Sequence, residues 1–378
     1  MISRGYRGTD AKPSLLGFGC MRLPLLQAGK PDIDYPLAQK LIDYAYAHGV
    51  NYFDTAYVYH EGLSEQFIGQ ALRKYPRDSY FLADKMPMWK VTNESQVDEI
   101  FQDQLKRCGV DYFDFYLCHS MESRNLEKFK KFHVIEYLNQ KKAEGKIRRL
   151  GFSFHDTPAV LRTILPLYHW DFAQIQLNYV DWKTQDAKGQ YELLQKNGIP
   201  VVVMEPVRGG ALATLCPQSA EILKKAEPQA SLASWAVRFA ASQPGVMTVL
   251  SGMSSAEQVI DNVHTFSNFT PLSGQELKTL RQAAELYKSY LTIPCTGCRY
   301  CMECPSGVDI PAVFKLYNEY SVTHRSQEFI EGYRALGKEK QAASCAACGK
   351  CAAHCPQHIE IPDRMKEIRE KVEKLLSE

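Results

Sequence analysis

Short apolar runs alternate with longer amphipathic stretches from residue 14 to residue 266, and this alternation constrains the fold more than any other feature. Each apolar run has the length of a buried strand, and each amphipathic stretch has the spacing of a helix with one apolar face. Gly49, Gly145 and Gly198 stand at the ends of helical stretches, the usual place for a terminating glycine. Eight such units predict a (β/α)8 TIM barrel. A doubly wound open sheet is the alternative, but no glycine-rich dinucleotide turn accompanies these units.

The predicted strands are Leu15–Gly19, Val50–Asp54, Tyr80–Lys85, Phe113–His119, Arg149–Ser153, Phe172–Leu177, Ile199–Glu205 and Met247–Ser251. The predicted helices between them are Tyr35–His48, Glu65–Lys74, Ser95–Cys108, Leu126–Glu144, Pro158–Leu167, Ala187–Asn197, Ser231–Ala241 and Ala256–Phe266. A polar hairpin containing Gly5, Gly8 and Lys12 is predicted before the first strand. The pattern changes after residue 270, where Ser273–Tyr290 predicts one long helix and Pro362–Leu376 a charged terminal one.

The composition is that of a soluble globular protein. The chain has 378 residues, 45% of them apolar and 23% charged, which suits one large domain and one small domain. We expect residues 1–270 to form the barrel and residues 271–378 to form the second domain. The net charge of +2 gives no reason to expect nucleic acid or a membrane surface, and no apolar run is long enough to span a bilayer. The first residues lack the apolar core of a signal peptide, so we expect a cytoplasmic protein.

Polar residues end three successive predicted strands. Asp54, Lys85 and His119 each follow an apolar run, and Tyr59 lies in the loop after Asp54. All four would lie at the carboxyl face of the barrel, where active sites of this fold are found. Taken singly, each residue is better explained as a turn residue, a core aromatic, a solvated strand end or a satisfied buried histidine. The four in order on neighbouring strand ends favour a functional site.

These residue types suit proton transfer to a carbonyl oxygen. An ammonium beside a phenol stabilises the phenolate and lowers the pKa of that phenol from about 10. Tyr59 next to Lys85 could then donate a proton and take it back in the reverse reaction. Asp54 would keep Lys85 charged, and His119 would donate a hydrogen bond where negative charge develops. The site still requires a source of hydride.

Eight of the twelve cysteines fall in two compact runs near the C-terminus. The runs are Cys295, Cys298, Cys301 and Cys304, and then Cys345, Cys348, Cys351 and Cys355; proline follows the last cysteine of each. The second run has the spacing of bacterial ferredoxins, whose last cysteine binds the other cluster. We therefore assign Cys295, Cys298, Cys301 and Cys355 to one [4Fe–4S] cluster, and Cys345, Cys348, Cys351 and Cys304 to a second. Two zinc sites are the alternative. The scattered Cys20, Cys108, Cys118 and Cys216 are expected to pack as inert thiols.

The first 270 residues resemble the aldo-keto reductases. The resemblance is carried by the Asp54, Tyr59, Lys85 and His119 tetrad, by Gly17–Arg22, by Gly151-Phe152-Ser153 and by Gln174–Asn178. It implies that NADPH or NADH lies across the barrel mouth, with Tyr59 as general acid and NADPH favoured. The cofactor-binding residues it implies are Gly19, Cys20, Met21, Ser153, Gln174, Met204, Glu205, Pro206, Gly252, Ser254, Gln258 and Asn262. The cysteine segment resembles the dicluster ferredoxin domain fused to one branch of that family.

Three positions depart from the family pattern. Phe154 replaces the asparagine that often follows the serine of the fifth strand. Met204 replaces an aromatic residue that commonly stacks on nicotinamide. Gly252 and Gln258 occupy the positions of the basic pair that grips a 2′-phosphate in many members.

Two functions follow as hypotheses. The first is an NAD(P)H-dependent oxidoreductase that reduces an aldehyde, ketone or sugar to an alcohol, or the reverse, with clusters serving electron transfer or structure. The second is an electron-transfer or redox-sensing module whose barrel binds nicotinamide mainly as a scaffold. No flavin fingerprint accompanies the clusters. The basic stretch Lys128–Lys131 is interpreted as a solvated helix face, with docking of an acidic redox partner as the alternative.

Overall fold

The computed structural model describes residues 1–5, 11–27, 30–290 and 292–377. Contacts divide the chain into two compact units. The first contains Met1–Val207 and Ala233–Gly274, and the second contains Arg208–Leu232 and Gln275–Glu378. The predicted boundary at residue 270 stays a prediction. Part of the predicted N-terminal hairpin, including Gly8, lies outside the described residues; Ser3 and Ser14 pair in an antiparallel bridge.

Within the described ranges, eight parallel strands close into a barrel in sequence order. They are β1 (Leu16–Gly19), β2 (Tyr52–Asp54), β3 (Phe81–Pro87), β4 (Phe113–His119), β5 (Ile147–Phe154), β6 (Phe172–Gln176), β7 (Val201–Met204) and β8 (Val246–Ser251). The predicted TIM barrel is confirmed. Its interior is filled by buried side chains, with Tyr52, Phe115, Phe172 and Val202 in one cluster. The barrel is therefore a packed core whose chemistry must lie at one end.

The helices of the first unit cover the outside of the barrel. They are α1 (Tyr35–Ala47), α2 (Leu63–Leu72), α3 (Ser95–Cys108), α4 (Ser123–Lys131), α5 (Val134–Ala143), α6 (Pro158–Ile164), α7 (Asp181–Thr184) and α8 (Ala187–Lys196). After α9, which belongs to the second unit, come α10 (Leu232–Ala241) and α11 (Ala256–Ser267). Asp34 caps α1 by accepting from the Leu37 amide, which explains why that helix begins where the sequence predicts.

The prediction of one helix from Leu126 to Glu144 is wrong. The structure has α4 and α5 instead, separated at His133, whose φ is 49°. Phe129 and Val134 are both fully buried. On a continuous helix these two residues would point about 140° apart, so one of them would face away from the barrel. The left-handed backbone of His133 turns the chain, so that the side chains of both Phe129 and Val134 are buried.

The second unit is helical and has its own core. Its helices are α9 (Pro217–Ala226), α12 (Gly274–Tyr290), α13 (Ile310–Thr323), α14 (Ser326–Ala335) and α15 (Ile361–Ser377). Phe314, Phe329, Tyr333, Met365 and Ile368 form the centre of its apolar cluster. The sequence pattern did not predict α9. In the described part of the chain, no helix combines the length and apolarity needed to cross a membrane.

Candidate active site and cysteine segment

A buried ion pair lies at the carboxyl end of strands β2 and β3. Lys85 Nζ donates to Asp54 Oδ1 at 2.6 Å and to the Thr55 carbonyl oxygen at 2.6 Å. Neither charged side chain is more than 3% exposed. Because the two partners neutralise each other, a lysine can remain at a position with no access to water.

Tyr59 and His119 complete the group above this pair. Lys85 Nζ lies 4.9 Å from the centre of the Tyr59 ring. The Tyr59 and His119 rings are nearly perpendicular, with centroids 6.4 Å apart. Trp89 also packs against His119, with centroids 4.7 Å apart. The structure thus brings the four predicted residues together and places the Trp89 ring against one of them, His119.

Burial sets the protonation of two members of this site. Burial raises the pKa of the Asp54 carboxyl, and the Lys85 ammonium acts against that rise. Burial also lowers the pKa of His119 well below its usual range, helped by the charges of Lys85 and His155. A neutral imidazole at neutral pH keeps one N–H to donate and does not compete with Tyr59 as an acid.

The loop that carries Tyr59 has an unusual backbone. His60, Glu61 and Gly62 follow it with φ values of 51°, 55° and 92°. Non-glycine residues in this region cost energy and are found where surrounding contacts enforce them. Here Ser64 supplies such contacts, because its hydroxyl hydrogen-bonds the Thr55 hydroxyl at 2.9 Å and the Cys20 carbonyl at 3.2 Å. The turn fixes the direction in which Tyr59 leaves the chain.

Ser153, Gln174 and Met204 lie on the three consecutive strands β5, β6 and β7, where the nicotinamide ring is expected. Ser153 Oγ accepts from the Ser120 amide at 2.8 Å. Gln174 Nε2 lies 3.6 Å from Met204 Sδ, and Gln174 Oε1 is buried with no hydrogen-bond partner among the described residues. A buried amide oxygen without a partner is costly. A carboxamide N–H of nicotinamide would satisfy it, so these residues fit the predicted cofactor.

The other predicted cofactor residues lie around the loops after β1, β7 and β8. Ser254 Oγ donates to the Arg22 carbonyl at 2.5 Å, and Gln258 Oε1 accepts from the Ser254 amide at 2.7 Å. Asn262 Nδ2 donates to Ser251 Oγ at 2.9 Å. The remaining members are Gly19, Cys20, Met21, Glu205, Pro206 and Gly252. Gln258 is thus engaged within its own loop.

Arg22 brings a positive charge to these loops that the sequence analysis did not single out. Its guanidinium lies 3.5 Å from Glu205 Oε1, and a Cβ on Gly252 would meet the Arg22 side chain at 3.1 Å. Trp89 was also missed, because it follows the end of β3 by two residues and no local pattern marks it. Glu65, Asp84 and Gln104 are buried near Lys85, and no sequence pattern predicted that they would be close to it.

The cysteine thiols approach one another across the two runs. Burial raises the pKa of the Cys301 thiol, and the thiols that interact with it are Cys298, Cys295 and Cys355. Burial likewise raises the pKa of Cys351, whose thiol neighbours are Cys345 and Cys304. In each case the last cysteine of one run lies beside the other run.

The two runs also repeat each other's backbone. The Cys295 and Cys345 sulfurs each accept an amide two residues ahead at 3.4 Å, from Gly297 and Ala347. These two residues have φ of 65° and 52°. Cys304, Cys345, Cys348 and Cys351 line one cavity. Among the residues that the structure describes, no three ligand side chains converge tightly enough for a single ion.

The four scattered cysteines are all buried. Burial raises the pKa of Cys20, Cys108 and Cys118, which keeps them as thiols. Cys216 Sγ contacts Ser219 Oγ at 3.0 Å.

An acid–base group at the mouth of a β/α barrel is typical of one class of oxidoreductases, and the comparisons with known sequences agree. The profile of the aldo/keto reductase family matches residues 15–285, and that of the 4Fe-4S dicluster domain matches residues 294–360. The chain belongs to the aldo/keto reductase family and carries a dicluster domain after its barrel.

Individual relatives match the barrel region at modest identity. The NADH-specific methylglyoxal reductase of Escherichia coli is 26% identical, with 73% of this chain and 96% of the relative covered. L-Galactose dehydrogenase of Arabidopsis thaliana is also 26% identical, with coverages of 74% and 92%. Among solved structures, an aldo-keto reductase from Bacillus halodurans in its holo form superposes with a TM-score of 0.62. It is 28% identical, and the match covers 75% of this chain and 96% of that one.

Proposed function

We propose that the protein reduces a small carbonyl compound to an alcohol, or catalyses the reverse, with NAD(P)H and with Tyr59 as general acid and base. The observation that carries this proposal is the position of Lys85. Its ammonium is held by Asp54 at 2.6 Å and lies 4.9 Å from the Tyr59 ring. A cation fixed beside a phenol in a buried site favours the phenolate that remains after proton donation.

Residues of the chain itself supply the proton that the carbonyl oxygen receives. Tyr59 Oη gives its proton to the carbonyl oxygen and recovers one when the reaction runs toward the carbonyl. The neutral imidazole of His119 donates its N–H to the same oxygen, and Trp89 limits the space beside it. Ser153 and Gln174 would hold the carboxamide of a nicotinamide, and that cofactor would supply the hydride for the carbonyl carbon. Hydride and proton together balance the reduction.

The relatives support a small oxygenated substrate without fixing one. One is named for methylglyoxal and another for L-galactose, which are a dicarbonyl and a sugar. The choice between NADPH and NADH is proposed to depend on Arg22, the base found beside Gly252. If NADPH is preferred through this residue, Arg22→Ala should lower kcat/KM with NADPH more than with NADH. An equal loss with both cofactors would contradict this role.

Tyr59→Phe tests the proposed chemistry most directly. We expect carbonyl reduction to fall by about 10²–10⁴ with nicotinamide binding and cluster absorbance retained, because only the proton donor is lost. Tyr46→Phe is the matched control, since it removes a hydroxyl on α1 that hydrogen-bonds the Ser79 hydroxyl. Wild-type turnover by Tyr59→Phe would overturn the assignment.

We also propose that the second unit binds two [4Fe–4S] clusters. Cys295, Cys298, Cys301 and Cys355 would bind one, and Cys345, Cys348, Cys351 and Cys304 the other. The crossed thiol neighbours and the cavity shared by the second set support this assignment. In such a cluster each thiolate binds a different iron, so the four sulfurs need not converge on one ion. Anaerobic iron and sulfide analysis giving about eight of each per chain is expected; zinc in place of iron would refute it.

An electron-transfer role for this unit is the second candidate, favoured by the exposure of Cys348. Lys338, Lys340 and Lys350 are exposed beside that run. The basic stretch on α4 is less available, because Lys128 Nζ donates to two carbonyl oxygens and Lys130 pairs with Glu127. Cluster reduction by an acidic one-electron carrier that slows with added salt would support this candidate. Clusters that stay oxidised with such a carrier would count against it.

A further inference from the structure

The main chain of Lys85 lies beyond the end of its neighbouring strand. Pairing between β2 and β3 ends at Asp54 and Ala83, and the Thr55 amide donates to the Ala83 carbonyl at 2.9 Å. Hydrogen-bonding groups alternate sides along a strand, so Lys85 presents its N–H and C=O to the same side as Ala83. On that side Lys85 has no strand to bind.

Side chains take the place of the missing strand. Asp84 Oδ1 accepts from the Lys85 amide at 2.8 Å, and Gln104 Nε2 donates to the Lys85 carbonyl at 3.0 Å. Gln104 Nε2 also donates to Glu65 Oε1 at 3.0 Å, and the Tyr116 hydroxyl donates to Gln104 Oε1. Every one of these side chains is fully buried. The catalytic lysine is therefore fixed at its main chain as well as at its ammonium.

Asp84 and Glu65 contact each other in this network. The charge of Glu65 acts on Asp84, and two interacting buried carboxyl groups are favoured with one proton between them. Burial raises the pKa of both groups, and that of Asp84 rises well above its usual range. Arg107 Nη1 binds Glu65 Oε2 at 3.0 Å, so Glu65 is the member stabilised as a carboxylate.

Other titratable groups also face the pair. Cys108 Sγ lies 3.7 Å from Asp84 Oδ2, and the Lys85 charge acts on Asp84. Tyr116 and Cys20 face Asp84 from β4 and from the end of β1, and burial raises the pKa of each.

We propose that Asp84 and Glu65 share one proton and, together with Gln104, act as positioning residues that place Lys85 Nζ beneath Tyr59. This inference rests on the proposed function of Lys85 and Tyr59. A second negative charge at Asp84 would compete with Asp54 for the lysine, and a shifted main chain would move the ammonium away from the phenol.

Asp84→Asn and Asp84→Leu form the decisive pair of variants. Asparagine keeps an oxygen for the Lys85 amide and an N–H for Glu65 without a charge, so kcat should stay within about twofold of wild type. Leucine has the same branched shape but neither group, so kcat should fall by about tenfold or more. The KM for nicotinamide should change little in either variant. Wild-type kcat in Asp84→Leu, or equal losses in both variants, would overturn the proposal.

Ionisation of the phenol gives a readout that does not depend on turnover. Phenolate absorbance is titrated in each variant and in the same variant carrying Tyr59→Phe, and the difference isolates Tyr59. We expect ionisation at higher pH in Asp84→Leu and at the wild-type pH in Asp84→Asn. If Asp84→Leu does not fold, Gln104→Met is expected to give the same shift. An unshifted titration refutes positioning, whereas a shift without any carbonyl turnover refutes only the proposed function.

Discussion

The two units bury polar groups by different means. In the barrel, the Lys85 ammonium has Asp54 at 2.6 Å and the Thr55 carbonyl at 2.6 Å, so the protein itself satisfies the charge. In the second unit, Cys301 and Cys351 each interact with several other thiols. Thiolates brought together without a cation repel one another. The Lys85 charge is thus satisfied by the protein itself, whereas the cysteines would be satisfied as thiolates only by a bound cationic group.

Loss of the clusters should produce the largest effect. Cys355→Ser removes a buried ligand from one proposed cluster, and we expect about half of the iron to be lost. Because metal binding contributes folding free energy, residues 294–360 should become sensitive to protease. Cys216→Ser is the control, since that sulfur contacts only a hydroxyl partner in its hydrogen bonding. Full iron content in Cys355→Ser would show that the two units do not differ in this way.

Lys85→Met tests how much the buried ion pair between Lys85 and Asp54 stabilises the barrel. The variant leaves Asp54 buried without its cation, and we expect the free energy of unfolding to fall by about 3–5 kcal/mol. Adding Asp54→Asn should recover part of that loss, because the remaining charge is removed. Barrel unfolding followed by tryptophan fluorescence in denaturant measures both variants. No recovery in the double variant would mean that the pair is not the source of the effect.

The pH dependence of stability should report His119. The pKa of His119 lies well below that of an unfolded histidine, about 6.5, so the unfolded state binds more protons as the pH falls below 6.5. The free energy of unfolding should therefore decrease on acidification by up to about 1.4 kcal/mol per pH unit from this residue. His119→Leu should remove this slope between pH 6.5 and the lower folded value. Equal slopes in denaturant titrations of both proteins would contradict the burial argument.

The smallest effect is expected where the two cysteine runs differ. Gly297 and Ala347 occupy equivalent left-handed positions, and alanine there costs about 1–2 kcal/mol. A Cβ on Gly297 would meet no atom within 4 Å, so only backbone strain separates the two residues. Ala347→Gly should slow chelator-driven loss of iron slightly, and Gly297→Ala should accelerate it slightly. Opposite signs would show that the runs are not equivalent.

The sequence predicted the barrel because strand ends and helix caps are local signals. The register that brings Asp54 beside Lys85 follows from parallel pairing, which those strand positions imply. The break at His133 was not predictable, because it depends on which of Phe129 and Val134 must face the barrel. The proximity of Glu65 to Asp84 was hidden for a similar reason. It depends on how α2 and α3 pack over β3, and no spacing along the chain encodes that packing.

The loop after β7 has a consequence for how the protein can be divided. Arg208 is almost fully buried and donates to the Pro294 carbonyl, and a Cβ on Gly209 would lie 1.8 Å from the Thr296 carbonyl oxygen. Residues 208–232 therefore pack with the cysteine segment although they precede α10 and β8 of the barrel. Dividing the gene at any single point would leave part of one unit attached to the other. Expressing the iron–sulfur unit by itself would require joining residues 208–232 to the C-terminal segment. Recombination at a single point in the gene could therefore not exchange one unit without dividing the other.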